Sequence, residues 1–266
     1  MPSDRESPPT FSLQDSEARN REYYERFWSA DAAVYEAHPT SRHRKRFIVS
    51  VAAASGLRRG DFVFDYGCGT GMVLRTLRDR VGLDPRDLGG CDIAAAAVAR
   101  VARDLSSATI VHGSFPEIDR PIRVAVCSEV IEHTPEYRDI LRWLFDHLAP
   151  GGSLVLTTAG TPMDAPDVSY GHTQHFRLPG LRADLQQIGF EVVSARRWGF
   201  PFFSLQKLAT RMFFDQVRQR VIEGGMGPLK RRLFAVAYRL YFVHDRIPWG
   251  PQIFVVARRP AAGRAS

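Results

Sequence analysis

A short apolar strand ending in an acid runs straight into three alternating glycines, Val63-Phe-Asp-Tyr-Gly-Cys-Gly-Thr-Gly71, and this segment constrains the chain most. Glycine suits such a turn because the backbone must bend sharply and let a ligand approach without a Cβ in the way. A helix starting near Thr70 would aim its free N–H groups at whatever sits in the turn. A glycine-rich turn alone is a weak signal, and context strengthens it. The strand Phe62 to Asp65 precedes the turn, a helical stretch Met72 to Arg80 follows, and a second acid, Asp92, ends the next apolar segment one βα unit later. That is the layout of a cofactor-binding doubly wound sheet, with Asp92 placed for ribose hydroxyls.

The third glycine comes two residues after the second, not three as in the dinucleotide fingerprint, so a nicotinamide-dependent hydride transferase is the runner-up. Four segments in order carry a resemblance: Asp65-Tyr-Gly67-Cys-Gly69-Thr-Gly71, Gly89-Gly-Cys-Asp92-Ile93, His112-Gly-Ser-Phe115 and Cys127-Ser-Glu-Val-Ile-Glu-His133. Together they resemble the class I S-adenosylmethionine-dependent methyltransferases, over roughly Arg46 to Gly199. The likeness is best to the small-molecule branch that includes ubiquinone-type and natural-product O-methyltransferases.

The resemblance implies S-adenosylmethionine as cofactor and S-adenosylhomocysteine as product. Asp65, Gly67 and Gly69, with Cys68 and Gly71 in the same turn, would lie against the amino-acid part of the cofactor. Asp92 would take the ribose hydroxyls, Ile93 and Phe115 would sandwich the adenine, and Ser128 would sit beside the methionine portion. Ser114 stands where the commoner family pattern has an acid, which leaves its hydroxyl or backbone to meet adenine. Arg46 is the candidate for the cofactor carboxylate, and Arg44 fits nearly as well. An N-terminal helical pair would cover the cofactor, with Tyr24 as a contact.

The chain alternates strand and helix from Phe62 onward, which argues for a parallel sheet with helices on both faces. The expected fold is a Rossmann-like, seven-stranded, mostly parallel α/β sheet, its last strand antiparallel as in the family. The divisions are a disordered tail (1–15), a helical lid (16–56), the core (57–199), a helical substrate cap (200–247), the last strand (248–259) and a tail (260–266). Within the cap, Leu205, Leu208, Met212, Val217 and Val221, then Leu229, Leu233, Val236 and Leu240, suggest two amphipathic helices.

A hydroxyl acceptor would be helped by a base near neutral pKa, a role that suits histidine. The candidates are His133, His172 and His175. His175 is favoured, because with His172 it lies in the loop beyond the fifth strand, at the carboxyl ends of the strands. His133 fits equally a helix-start residue packed on the cofactor loop. No carboxylate cluster follows strands four and five, so no metal is expected.

With 44% hydrophobic residues among 266, the chain can bury a full core. The net charge of +7 comes almost wholly from arginine, and no RNA-binding module accompanies it, so no nucleic-acid partner is expected. The unpaired spacing of Cys68, Cys91 and Cys127, a polar N-terminus without a signal pattern and the lack of a long apolar run suggest a cytoplasmic protein. The expected partner is a small hydrophobic or aromatic acceptor. Peripheral membrane contact through the basic, aromatic cap and a monomeric or homodimeric state stay open. So do two other functions: a non-methylating cyclisation or rearrangement that uses the same cofactor, and a non-catalytic cofactor-binding subunit.

Overall fold

The computed structural model describes residues 13–30, 32–217 and 225–261. Seven strands form one sheet: β1 (Phe62–Tyr66), β2 (Leu88–Asp92), β3 (Thr109–His112), β4 (Ile122–Ser128), β5 (Leu148–Ala159), β6 (Glu191–Trp198) and β7 (Gln252–Arg258). Their order is β3-β2-β1-β4-β5-β7-β6, parallel except for β7, which runs antiparallel between β5 and β6. This is the expected Rossmann-like sheet. The strand order reverses at β1, which lies between β2 and β4, and such a switch point leaves a crevice at the strands' carboxyl ends.

The two-residue period of β1 explains how the sheet is covered. Phe62, Phe64 and Tyr66 enter one core with Leu141 and Leu144 of α6 (Tyr137–His147) and Leu181 and Leu185 of α8 (Leu178–Ile188). Val63 enters the other, with Ile48 of α3 (Pro39–Ala54), Leu74 of α4 (Met72–Thr76) and Val101 of α5 (Ala95–Asp104). Both faces are therefore dry, as a parallel sheet requires.

Two further helices, α1 (Leu13–Ala30) and α2 (Ala32–Ala37), complete the N-terminal helical segment. Helix begins at Leu13, so residues 13–15 of the expected tail are structured; residues 1–12 lie outside the described part. After α7 (Ala165–Ser169), the stretch between β6 and β7 holds α9 (Phe202–Met212), α10 (Phe214–Val217), α11 (Pro228–Leu240) and a 3-10 turn over Tyr241–Arg246. The second amphipathic pattern becomes one helix, whereas the first divides at Phe213 between α9 and α10, and the apolar stripes face outward: Leu205, Leu208, Leu233 and Val236 are all more than half exposed. Val221 and residues 262–266 lie outside the described residues.

Candidate cofactor and acceptor site

A cavity of about 1050 Å³ opens at the switch point, between the ends of β1, β2 and β4 and helices α1, α3 and α9. Its floor is the glycine turn. Gly67 and Gly69 have φ of 74° and 50°, and a Cβ on Gly67 would stand 2.4 Å from Val130 Cγ2. The turn is pinned from β2, where the Cys91 carbonyl accepts from both Gly67 N–H (2.8 Å) and Cys68 N–H (2.9 Å). Gly71 does not reach the cavity wall. It starts α4 at φ 74° and packs on Val101.

Asp92 is 8% exposed and serves the turn as well as the cavity. Its Oδ2 accepts from Gly69 N–H (2.8 Å) and its Oδ1 from Ala94 N–H (2.9 Å), and each carboxylate oxygen keeps a lone pair for another donor. Asp65, 3% exposed, also lines the cavity. Burial, then the charge of Asp92, pushes its pKa well up. Burial raises Asp92 too, against the pull of its two backbone donors. Among the described residues no salt bridge reaches either acid, so two buried carboxyls face the cavity without a cation. A ligand bringing an ammonium and a pair of hydroxyls answers that need, and S-adenosylmethionine carries both.

Beyond Asp92 the wall continues through Ile93, Gly113, Ser114 and Phe115. Phe115 holds a left-handed φ of 53° and is 47% exposed, so its ring stands at the cavity rim, edge-on to Tyr66 with centroids 6.3 Å apart. Ser128, at the end of β4, bonds Thr157 Oγ1 at 2.8 Å, and Thr157 donates to Glu129 at 3.0 Å. Glu129 is itself left-handed, at φ 58°, a feature no local pattern announces. Cys68 and Cys91 lie in the wall and Cys127 in the core; all three are free, and burial raises their thiol pKa values.

α1 closes the top. Tyr24 Oη and His133 Nε2 are 2.9 Å apart, Asn20 Nδ2 donates to the His133 carbonyl (2.7 Å), and the Glu25 carboxylate accepts from Ala96 N–H at the start of α5 (3.1 Å). Trp28 lies over the turn, 2.9 Å from where a Cβ on Gly69 would stand.

Arg46 turns away from the cavity, where the cofactor carboxylate was expected to meet it. It pairs with Asp245 at 2.5 Å and lies over the Phe242 ring. Arg44 lines the cavity instead, because two residues on a helix point to nearly opposite sides. Its nearest partners, Glu129 Oε2 at 3.5 Å and Tyr35 Oη at 3.4 Å, are long contacts, which leaves its planar fork free for a carboxylate. Burial works against the charge, but Glu129 and the Tyr35 hydroxyl outweigh it and raise the Arg44 pKa.

The histidine loop has one internally consistent tautomer. His175 Nδ1 is 2.6 Å from the Thr161 carbonyl, which only accepts, so Nδ1 carries the proton. His175 Nε2 is then a lone pair and accepts from His172 Nδ1–H at 2.7 Å. That leaves a lone pair on His172 Nε2. His172 and His133 line the cavity, with ring centroids 4.6 Å apart, while His175 stands behind His172 and does not reach it. Burial lowers the pKa of His172, as do His133, His175 and Lys207, and burial lowers His133 to about 4.

On the Nε2 side of His175, which also meets His172, Asp167 lies 3.7 Å away and pairs with Lys207 at 3.0 Å, and both Asp167 and Lys207 line the cavity. Two sets of potential metal ligands arise here, Glu132–His133–His172 and Asp167–His172–His175. The second already has an ammonium on its carboxylate and a hydrogen bond between its imidazoles. Glu132 is fully buried, accepts from Thr158 at 2.8 Å and is pushed well above the usual carboxylate range, first by burial and then by Glu129.

The strand order, the glycine turn and the paired acids define a class I S-adenosylmethionine-dependent methyltransferase fold with its cofactor cradle. The chain belongs to the methyltransferase domain family, which matches residues 40–195, more than half its length. It is 31% identical over 119 residues to the carboxy-S-adenosyl-L-methionine synthase of Chromohalobacter salexigens, covering 41% of this chain and 44% of that one. It is 27% identical over 139 residues to the mitochondrial ubiquinone biosynthesis O-methyltransferase of Schizosaccharomyces pombe, 50% of each chain. The chain thus spans about half the length of these relatives.

Among solved structures, phosphoethanolamine N-methyltransferase 2 of Haemonchus contortus, in complex with S-adenosyl-L-methionine, superposes with a TM-score of 0.61 at 15% identity. The match covers 91% of this chain and 60% of that one. The 4+2 cyclase SpnF gives 0.55 at 21%, covering 82% of each chain. S-adenosylmethionine, as the family's cofactor, supplies an electrophilic methyl group on a sulfonium.

Proposed function

We propose that the protein transfers the methyl group of S-adenosylmethionine to a hydroxyl of a small hydrophobic or aromatic acceptor, a natural product or related metabolite, with His172 as general base. The observation that carries this reading is that His172 lines the cavity while the hydrogen bonds through His175 to the Thr161 carbonyl leave its Nε2 a lone pair. His172 takes the hydroxyl proton at Nε2. His175, which does not touch the cavity, is a positioning residue: its Nδ1–H donates to the Thr161 carbonyl and its Nε2 holds His172 Nδ1–H. Arg44 would hold the cofactor carboxylate, Asp65 its ammonium and Asp92 its ribose, while Ile93 and Phe115 flank the adenine.

The cavity exceeds the roughly 300–1,000 Å³ of ordinary ligand sites, which leaves room for cofactor and acceptor together. Tyr23, Phe27, Tyr35 and Phe203 add aromatic wall suited to a flat or greasy acceptor. Methyl transfer is an in-line displacement, so holding the acceptor close and aligned supplies much of the rate. The three free cysteines accord with a cytoplasmic setting. The test is incubation with methyl-deuterated S-adenosylmethionine and pools of phenolic and polyketide acceptors, read by mass spectrometry. One labelled methyl per product and release of S-adenosylhomocysteine support the reading; a converted acceptor of unchanged mass would replace it with cyclisation or rearrangement.

A further inference from the structure

α9 and α11 carry apolar faces that no described residue covers. Of fifteen large hydrophobic side chains exposed among the described residues, twelve fall between Phe200 and Trp249, so the exposure is local. On α11, Leu229, Leu233, Val236 and Leu240 follow one another at steps of four, three and four, which makes a single stripe, 71%, 60%, 58% and 45% exposed. The opposite face is used: Phe234 packs on His38 and Tyr238 receives the Arg42 guanidinium at 3.9 Å. On α9, Leu205, Leu208 and Met212 repeat the pattern, all more than half exposed.

Charge selects the occupant. Apart from Lys207, which turns to the cavity and pairs with Asp167, the two helices hold Arg211, Lys230, Arg231, Arg232 and Arg239, and neither holds an acidic residue. Arg232 and Arg239, seven residues apart, lie along one flank of the α11 stripe. A twofold contact of this face with itself would set its cations against a patch that holds cations and no acid, whereas an anionic surface would neutralise them. Among the described residues no helix is long and apolar enough to cross a membrane, so contact would be interfacial. An apolar stripe bordered by arginine is the pattern of a helix lying at a headgroup boundary.

We propose that the outer face of α9 and α11 docks on an anionic lipid bilayer. The apolar side chains enter the headgroup boundary and the arginines meet lipid phosphates. α9 then stands between bilayer and cavity, because its other face supplies Phe203, Gln206, Lys207 and Thr210 to the cavity wall. Docking is independent of the reaction; that the acceptor enters from the lipid phase rests on the methyl-transfer reading.

The test is flotation of the full chain with vesicles of phosphatidylglycerol and phosphatidylcholine, beside vesicles of phosphatidylcholine alone. Sedimentation velocity without lipid runs in parallel. Wild-type protein partitions onto the anionic vesicles and is released by salt. Leu233→Glu with Val236→Glu lowers the partition coefficient at least about thirtyfold, and Arg232→Ala with Arg239→Ala lowers it about fivefold per residue. All these side chains are exposed, and unchanged S-adenosylmethionine affinity in each variant reports an intact fold. Cofactor-competent wild-type protein that stays off the anionic vesicles overturns the proposal, as does undiminished partition of the double-glutamate variant. A dimer that the glutamates dissociate, with no vesicle binding, assigns the face to a second copy of the chain and also overturns it.

Discussion

Replacing Asp92 by asparagine isolates its role, because the amide keeps the shape and loses one acceptor and the charge. In the native turn the two carboxylate oxygens accept from Gly69 and Ala94, at 2.8 and 2.9 Å. The asparagine carbonyl can serve only one of these donors and one ribose hydroxyl, and the amide nitrogen can accept from neither. A charge-assisted hydrogen bond contributes about 1.5–3 kcal/mol. Losing one to the ribose therefore raises the dissociation constant about 10- to 150-fold. The cost to the empty fold is smaller, since removing a carboxyl whose pKa burial has raised also removes a desolvation penalty. The assay is calorimetric titration with S-adenosylmethionine and S-adenosylhomocysteine, with thermal melting alongside. Both ligands should weaken equally, because both carry the ribose. Affinities within about twofold of wild type would refute the ribose assignment, and weakening of the methyl donor alone would mean that Asp92 acts on the sulfonium charge.

His172→Gln should slow turnover about 100- to 10,000-fold at saturating cofactor, with cofactor affinity unchanged in calorimetry; full activity removes His172 as base. His175→Ala should cost less, roughly tenfold for a freed imidazole orientation, and its product assay should keep the same methylated compound. Burial lowers the His172 pKa, so the acid limb of kcat/KM should lie below histidine's usual 6.5; a limb near 7 or above contradicts a buried neutral base. Glu132 is a buried acid whose folded pKa exceeds its unfolded value, so wild type loses stability as pH rises through that folded pKa. Glu132→Gln cannot ionise, so its melting temperature should gain on wild type from pH 5 to pH 8; a constant difference would mean that Glu132 is ionised throughout.

What the sequence revealed follows the physics of each segment. β1 and its turn were legible because a strand of apolar residues, an acid and glycines at fixed steps leave the backbone few alternatives. Asp92 was legible for the same reason, being the last residue of a strand one unit on. Arg46 was preferred to Arg44 wrongly, since sequence shows that a helix has faces but not which face packs inward; Phe242 and Asp245, some two hundred residues away, decide it. His172 and His175 share one loop, and loops have no period from which to read which ring faces the cavity. His172 is picked out by a carbonyl at Thr161 and by the distant pairing of Lys207 with Asp167. The stripes on α9 and α11 show the same limit, because periodicity announces an apolar face without saying what covers it.

The central claim is that the crevice between the glycine turn and α1 holds S-adenosylmethionine, with Asp65, Asp92 and Arg44 reading its charged and hydroxyl groups. Isothermal titration of the purified chain with S-adenosylmethionine, S-adenosylhomocysteine and NAD, after any co-purified ligand has been removed, tests it directly. Saturable one-to-one binding of the two sulfur compounds, with no heat from NAD, is the predicted result. Binding of NAD alone, or of none of the three by folded protein, would contradict the account.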